Sequence, residues 1–143
     1  MIASKCEYLL LRCMDFRLER AVEEWLQPYL GRTDVISIAG SCRVLAETPD
    51  SWPALFIWDN IGLAYEHHGV RRVILTQHQD CGAYGGAGAF GLAEAEKTRL
   101  VSDMQQVKES LCKRYPDLQV ATYWIRQTGE GWEFEAVGGG AVK

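Results

Sequence analysis

Glu7-Tyr8-Leu9-Leu10-Leu11-Arg12-Cys13-Met14-Asp15-Phe16-Arg17 is the stretch on which the fold turns. Residues 7–12 form a compact apolar run without polar alternation, the pattern of a strand buried on both faces. Such strands belong to parallel sheets covered by helices. At the end of the run stand a thiol, a carboxylate and a guanidinium, where open sheets of this kind hold ligands.

Beyond it the chain alternates. Leu18, Ala21, Val22, Trp25, Leu26, Tyr29 and Leu30 have helical spacing, and Gly31 follows as a C-cap. Val35-Ile36-Ser37-Ile38-Ala39 reads as a second strand. Asp50 or Ser51 caps a second helix that has Pro53 in its first turn and stops at Gly69. Its apolar residues cover most of its circumference, so the spacing predicts a well-buried helix. Arg72-Val73-Ile74-Leu75-Thr76 is the third strand. A helix follows over residues 93–115, with Leu100, Val101, Met104, Val107, Leu111, Cys112 and Tyr115 as its inner stripe. The fourth strand spans 119–126, and 132–137 alternates as its hairpin partner. Gly138-Gly139-Gly140 begins a loose tail.

This order predicts an α/β fold in a single domain, residues 1–143. Four parallel strands and one antiparallel edge strand form a mostly parallel central sheet flanked by helices. The 143 residues are 48% hydrophobic and 24% charged, which excludes a disordered chain. Fifteen Lys+Arg against nineteen Asp+Glu give a net charge of −4, so no basic footprint points to nucleic acid or to an anionic membrane. Neither a secretory leader nor a membrane span is legible. Five cysteines, an odd count, fit reduced thiols and a cytoplasmic setting better than a disulfide framework.

The first strand ends in Cys13-Met14-Asp15-Phe16-Arg17 and the third in His78-Gln79-Asp80-Cys81-Gly82. If these strands are neighbours, Cys13, His78 and Cys81 converge. Two thiolates and an imidazole prefer zinc, and three protein ligands leave one position open, as in catalytic zinc sites. Asp15 is a candidate for the fourth position, and Cys42 a weaker one. Cys6 is excluded, because seven residues of extended strand place it about 23 Å from Cys13. Cys112 is read as core. Arg17 can hold Asp15 bidentately, off the metal and available as a proton acceptor; released, Asp15 can close the site. Extended backbone would put Cys13, Asp15 and Arg17 on one side. Asp80 is either a solvated loop residue or an acceptor for His78. His67 and His68 are read as residues at a helix C-terminus, and 85–88 as a flexible connection. The five tryptophans are too scattered for a base-stacking platform and are read as core or interface.

The constellation resembles the β-class carbonic anhydrases. That family carries Cys-x-Asp-x-Arg after its first strand, Ala-Gly after its second and His-x-x-Cys, usually followed by Gly, after its third. Here these are Cys13-x-Asp15-x-Arg17, Ala39-Gly40 and His78-x-x-Cys81-Gly82. The resemblance implies zinc held by Cys13, His78 and Cys81, an Asp15–Arg17 catalytic dyad, and reversible hydration of carbon dioxide to bicarbonate. It also implies a homodimer or larger homo-oligomer. Two thiolates offset the formal charge of zinc, so activity should favour alkaline pH. Three departures stand out: Ser37-Ile38 where Arg-Asn is usual, Phe16 where a small hydroxyl residue is usual, and a few residues where the family has an N-terminal helical arm. The intact dyad favours hydration, or attack on a related linear substrate such as carbonyl sulfide or carbon disulfide. The departures favour a non-catalytic zinc-binding relative.

Overall fold

The computed structural model describes residues 4–138. Met1–Ala3 and the tail from residue 139 onward lie outside the described residues. Nine main elements follow in order: β1 (Tyr8–Cys13), α1 (Glu19–Leu26), β2 (Thr33–Ile38), α2 (Arg43–Glu47), α3 (Trp52–Glu66), β3 (Arg72–His78), α4 (Ala93–Arg114), β4 (Gln119–Thr128) and β5 (Gly131–Val137). The sheet has the order β2-β1-β3-β4-β5. The pairs β1/β2, β1/β3 and β3/β4 are parallel, and β4/β5 is antiparallel. The expected sheet is therefore present, and β1 and β3 are neighbours.

The alternation of β1 sorts its side chains into two cores. Leu9 and Leu11 face a cluster with Leu45, Ile57, Ile61, Val73, Leu75, Met104 and Leu111, supplied by α2, α3, β3 and α4. Tyr8, Leu10 and Cys13 face the other cluster, with Leu18, Val22, Ile74, Cys81, Leu100 and Trp124. Because β1 pairs on both edges and packs on both faces, residues 8–11 are apolar throughout and buried, and the charged Arg12 enters only near the strand's end.

The first helical stretch is less uniform than its spacing predicts. The turn Phe16–Leu18 is 3-10, α1 covers Glu19–Leu26, and Gln27–Tyr29 is again 3-10, with Pro28 in that last turn. Of the two candidate caps for α3, Ser51 accepts the Ala54 N–H. The helix is not buried all round: Trp52, Leu55, Phe56 and Leu63 are 48–76% exposed. Its sheet-facing side is filled by Ala54, Ile57, Trp58, Ile61 and Ala64. In α4, Leu100, Met104, Val107 and Leu111 form the buried stripe, whereas Cys112 is exposed. One residue past Leu111 is a rotation of about 100°, which carries its side chain off the stripe. The short α2, absent from the sequence reading, fills the crossover between β2 and α3.

Candidate metal centre at the ends of β1 and β3

β1 delivers Cys13 and β3 delivers His78 at their carboxyl ends, and Cys81 follows three residues after His78. One ligand atom from each of Cys13, His78 and Cys81 lies within 4.8 Å of the others, and all three residues are buried. The two sulfurs are 4.0 Å apart. Thiolates sharing a tetrahedral zinc at the usual bond length sit about 3.8 Å apart, so the spacing fits. His78 Nδ1 bonds the Gln79 carbonyl at 2.8 Å, which fixes the ring. Its Nε2 is buried without a hydrogen-bond partner. A buried imidazole nitrogen aimed between two thiols is costly unless an ion takes it.

The two thiols form a pair. Its pairing with Cys81, then the nearness of His78 and the Gly40 N–H, hold Cys13 down to about 4. The same pairing, reinforced by burial, pushes Cys81 well above the usual thiol range. The Gly40 N–H approaches Cys13 Sγ at 3.4 Å. Gly40 has φ +77, and a Cβ there would meet Ala83 Cβ and Arg43 Cβ at 3.0 Å each. That close approach explains the glycine of the Ala39-Gly40 pair.

Asp15 and Arg17 meet, but not by extended alternation. β1 ends at Cys13, and Asp15 caps the 3-10 turn Phe16–Leu18, accepting the Arg17 N–H at 2.9 Å. The turn folds the guanidinium back onto its own cap. Arg17 Nε donates to both Asp15 oxygens at 3.1 Å, and Nη2 donates to Oδ2 at 2.7 Å. This fork holds the Asp15 carboxyl below the usual carboxylate range. Asp15 Oδ2 nevertheless lies only 3.8 Å from His78 Nε2.

Asp80 is neither free nor an acceptor for His78. Its Oδ2 takes Arg17 Nη1 at 3.0 Å and its Oδ1 takes the Ala87 N–H at 2.8 Å. The Ala87 N–H, then Arg17, hold its carboxyl low. Asp80 sits at φ +61, in the left-handed region that Asp tolerates better than most residues. Residues 85–88 are accordingly not a loose connection: Gly86 N–H bonds the Cys81 carbonyl, and Ala87 opens a 3-10 turn. Cys42 does not join the cluster. It is buried in the opposite core, where burial pushes its thiol up to about 12.

Cys13, Met14, Asp15, Phe16, Arg17, Ala39, Asp80 and Ala83 line an open cleft of about 620 Å³. Met14 and Phe16 are 63% and 82% exposed, so the rim is apolar above a charged floor.

A family model described as "Putative carbonic anhydrase" matches residues 3–138. The chain belongs to this family. Among curated proteins, an uncharacterised protein of Rickettsia conorii is 26% identical over 127 residues, covering 85% of this chain and 68% of its own. Solved β-carbonic anhydrases share the fold of this family member. An enzyme from Sordaria macrospora, one of two described as tetrameric, aligns with TM-score 0.59 at 18% identity, covering 98% of this chain and 84% of its own. CafA of Aspergillus fumigatus aligns with TM-score 0.62 at 17% identity, covering 94% and 77%.

Two residues of this carbonic anhydrase relative escaped the sequence reading. Glu96, on the buried stripe of α4, accepts the Asp80 N–H at 2.8 Å and braces the ligand loop; burial pushes its carboxyl up. A carboxylate four residues before Leu100 on an apolar stripe was the available signal. Trp132 of β5 donates from Nε1 to the Arg17 carbonyl at 3.1 Å and packs edge-on against His78. The hairpin itself was legible, but its place beside Arg17 and His78 depends on β4 pairing with the distant β3.

Proposed function

We propose that this chain is a zinc-dependent carbonic anhydrase that interconverts carbon dioxide and bicarbonate, with Cys13, His78 and Cys81 as metal ligands and Asp15 and Arg17 as the catalytic pair. The observation that carries the reading is the unpartnered His78 Nε2, buried beside two thiols and 3.8 Å from an Arg-held carboxylate. Zinc held there would supply a Lewis acid that lowers the pKa of bound water, less strongly than in an all-histidine site because two thiolates offset its charge.

The protein's own groups do the rest. Gln79 fixes the His78 ring through Nδ1, which turns Nε2 toward the thiols. Arg17 occupies both Asp15 oxygens on one side and keeps the carboxylate ionised and back from the metal position. Oδ2 stands 3.8 Å from His78 Nε2, at the edge of the metal position. An ionised carboxylate held by a guanidinium is a poor store for a proton but a good director of one: it accepts a hydrogen bond and sets the orientation of its donor. Hydration of carbon dioxide releases one proton per bicarbonate, and the open cleft lets that proton reach solvent. The apolar rim of Met14, Phe16, Ala39 and Ala83 suits a small uncharged substrate.

The working unit is a homodimer or larger. β2 is an edge strand of the sheet. Beside it, Val35, Trp52 and Phe56 are exposed around an apolar groove of about 510 Å³. The Sordaria macrospora neighbour belongs to a tetrameric pair of enzymes. A second copy of this chain is the occupant that reading supports. Among the described residues no helix is long and apolar enough to cross a membrane, and we assign the enzyme to the cytoplasm. Carbon dioxide hydration by zinc-loaded protein tests the function; zinc-replete protein without activity would reduce the reading to a non-catalytic metal-binding relative.

A further inference from the structure

Three chemically different donors meet at the amino-terminal end of the sheet, opposite the centre just described. Cys6 precedes β1, Asp34 lies in β2 and His68 follows α3. One ligand atom from each lies within 4.8 Å of the others. His68 Nδ1 and Asp34 Oδ2 are 2.6 Å apart. The backbone fixes the convergence: Cys6 N–H bonds the His68 carbonyl at 2.9 Å, and Glu7 N–H bonds the Arg32 carbonyl at 3.0 Å. Lys5 Nζ adds a bond to the His67 carbonyl at 2.7 Å. The same distance along β1 that keeps Cys6 out of the Cys13 cluster brings it here.

We propose that Cys6, Asp34 and His68 form a second binding site, for a divalent metal ion of the zinc class. Asp34 Oδ2 lies 2.6 Å from the imidazole, and a carboxylate oxygen of Asp34 lies within 4.8 Å of the thiol, which itself reaches the Tyr8 carbonyl at 3.7 Å. That order, with the carboxylate in the middle, does not suit a thiol–histidine–carboxylate relay, in which the histidine must stand between. It suits three donors around one ion. A thiolate and a carboxylate together balance a divalent charge. Thiolate with imidazole selects zinc-like ions over magnesium or calcium, which prefer all-oxygen shells.

Without metal, burial and the neighbouring Asp34 carboxylate push the Cys6 thiol up, so it stands protonated. Binding releases that proton, and the ring nitrogen facing Asp34 turns from hydrogen-bonding partner to ligand while the other nitrogen carries the ring proton. His68 is exposed and Asp34 and His68 border an open cavity of about 480 Å³, so an ion enters from solvent and a fourth position stays accessible.

The site is independent of the proposed activity, and one experiment separates the two. Equilibrium dialysis at a fixed micromolar concentration of free zinc, followed by elemental analysis, gives zinc per chain for wild type, Cys6→Ser and His68→Ala. Circular dichroism confirms that each is folded. The expected counts are two for wild type and one for each variant. Zinc lost in neither variant, or in only one of them, overturns the proposal. One zinc in wild type and none in both variants leaves this site standing and removes the metal from Cys13, His78 and Cys81.

Discussion

Replacing Arg17 with alanine separates metal binding from turnover. The substitution removes the three side-chain contacts to Asp15 and the two to Asp80, at Oδ2 and the carbonyl oxygen. It leaves Cys13, His78 and Cys81 untouched. Charge-assisted hydrogen bonds contribute about 1.5–3 kcal/mol when shielded. The Arg17 side chain is 36% exposed, so solvent screening reduces the loss of fold stability to about 1 kcal/mol. The consequence for Asp15 is larger. A nitrogen and an oxygen sharing a zinc stand about 3.3 Å apart. The observed 3.8 Å between His78 Nε2 and Asp15 Oδ2 needs little closure once the guanidinium is gone. Asp15 then takes the fourth metal position, and hydration falls by about 100-fold or more, the scale expected for loss of a positioned acid–base group. Stopped-flow hydration and zinc content should be measured on the same preparation. Full zinc with activity undiminished in Arg17→Ala would refute the Asp15–Arg17 reasoning.

Asp15→Asn should likewise keep its zinc and lose most activity, because the amide cannot accept as the carboxylate does; kinetics paired with elemental analysis checks it. Cys81→Ser replaces a metal-binding thiol by a hydroxyl that stays protonated, and metal analysis should show most of the Cys13-site zinc gone. Glu96 has a pKa raised in the fold by burial, so its contribution to stability is complete below its unfolded value, near 4.5, and is lost as pH rises through the folded value. Glu96→Gln mimics the neutral form and still accepts the Asp80 N–H, so denaturation series should show a flatter pH dependence across that window than wild type. Light scattering at micromolar concentration should give a mass of at least twice the 16.1 kDa chain, and Phe56→Glu on the exposed face of α3 should shift it toward the monomer.

The parallel sheet and the cysteine–histidine cluster were legible because each rests on a local pattern. The unbroken apolar run of β1 requires cover on both faces, and ligand-type residues directly after β1 and β3 mark the sheet's binding edge. What escaped depends on distant partners or on angle. The exposure of Cys112 follows from a single 100° step on a helix, which an apolar list does not resolve. The half-exposed α3 reads as core because apolar residues left at the surface and apolar residues facing a sheet look alike in sequence. Asp80 reads either as a loop residue or as an acceptor for His78 because its anchors, Arg17 and Ala87, come from sequence separations of 63 and 7. Its backbone bond to Glu96 is also invisible until α4 is laid beside the loop.

The most direct test of the central claim is the rate of carbon dioxide hydration from neutral to alkaline pH, measured on protein whose zinc occupancy at Cys13, His78 and Cys81 has been established by its loss in Cys81→Ser. The account predicts zinc-dependent turnover that rises toward alkaline pH and collapses in Arg17→Ala. Wild-type protein with that zinc in place and no hydration anywhere in the range would contradict it.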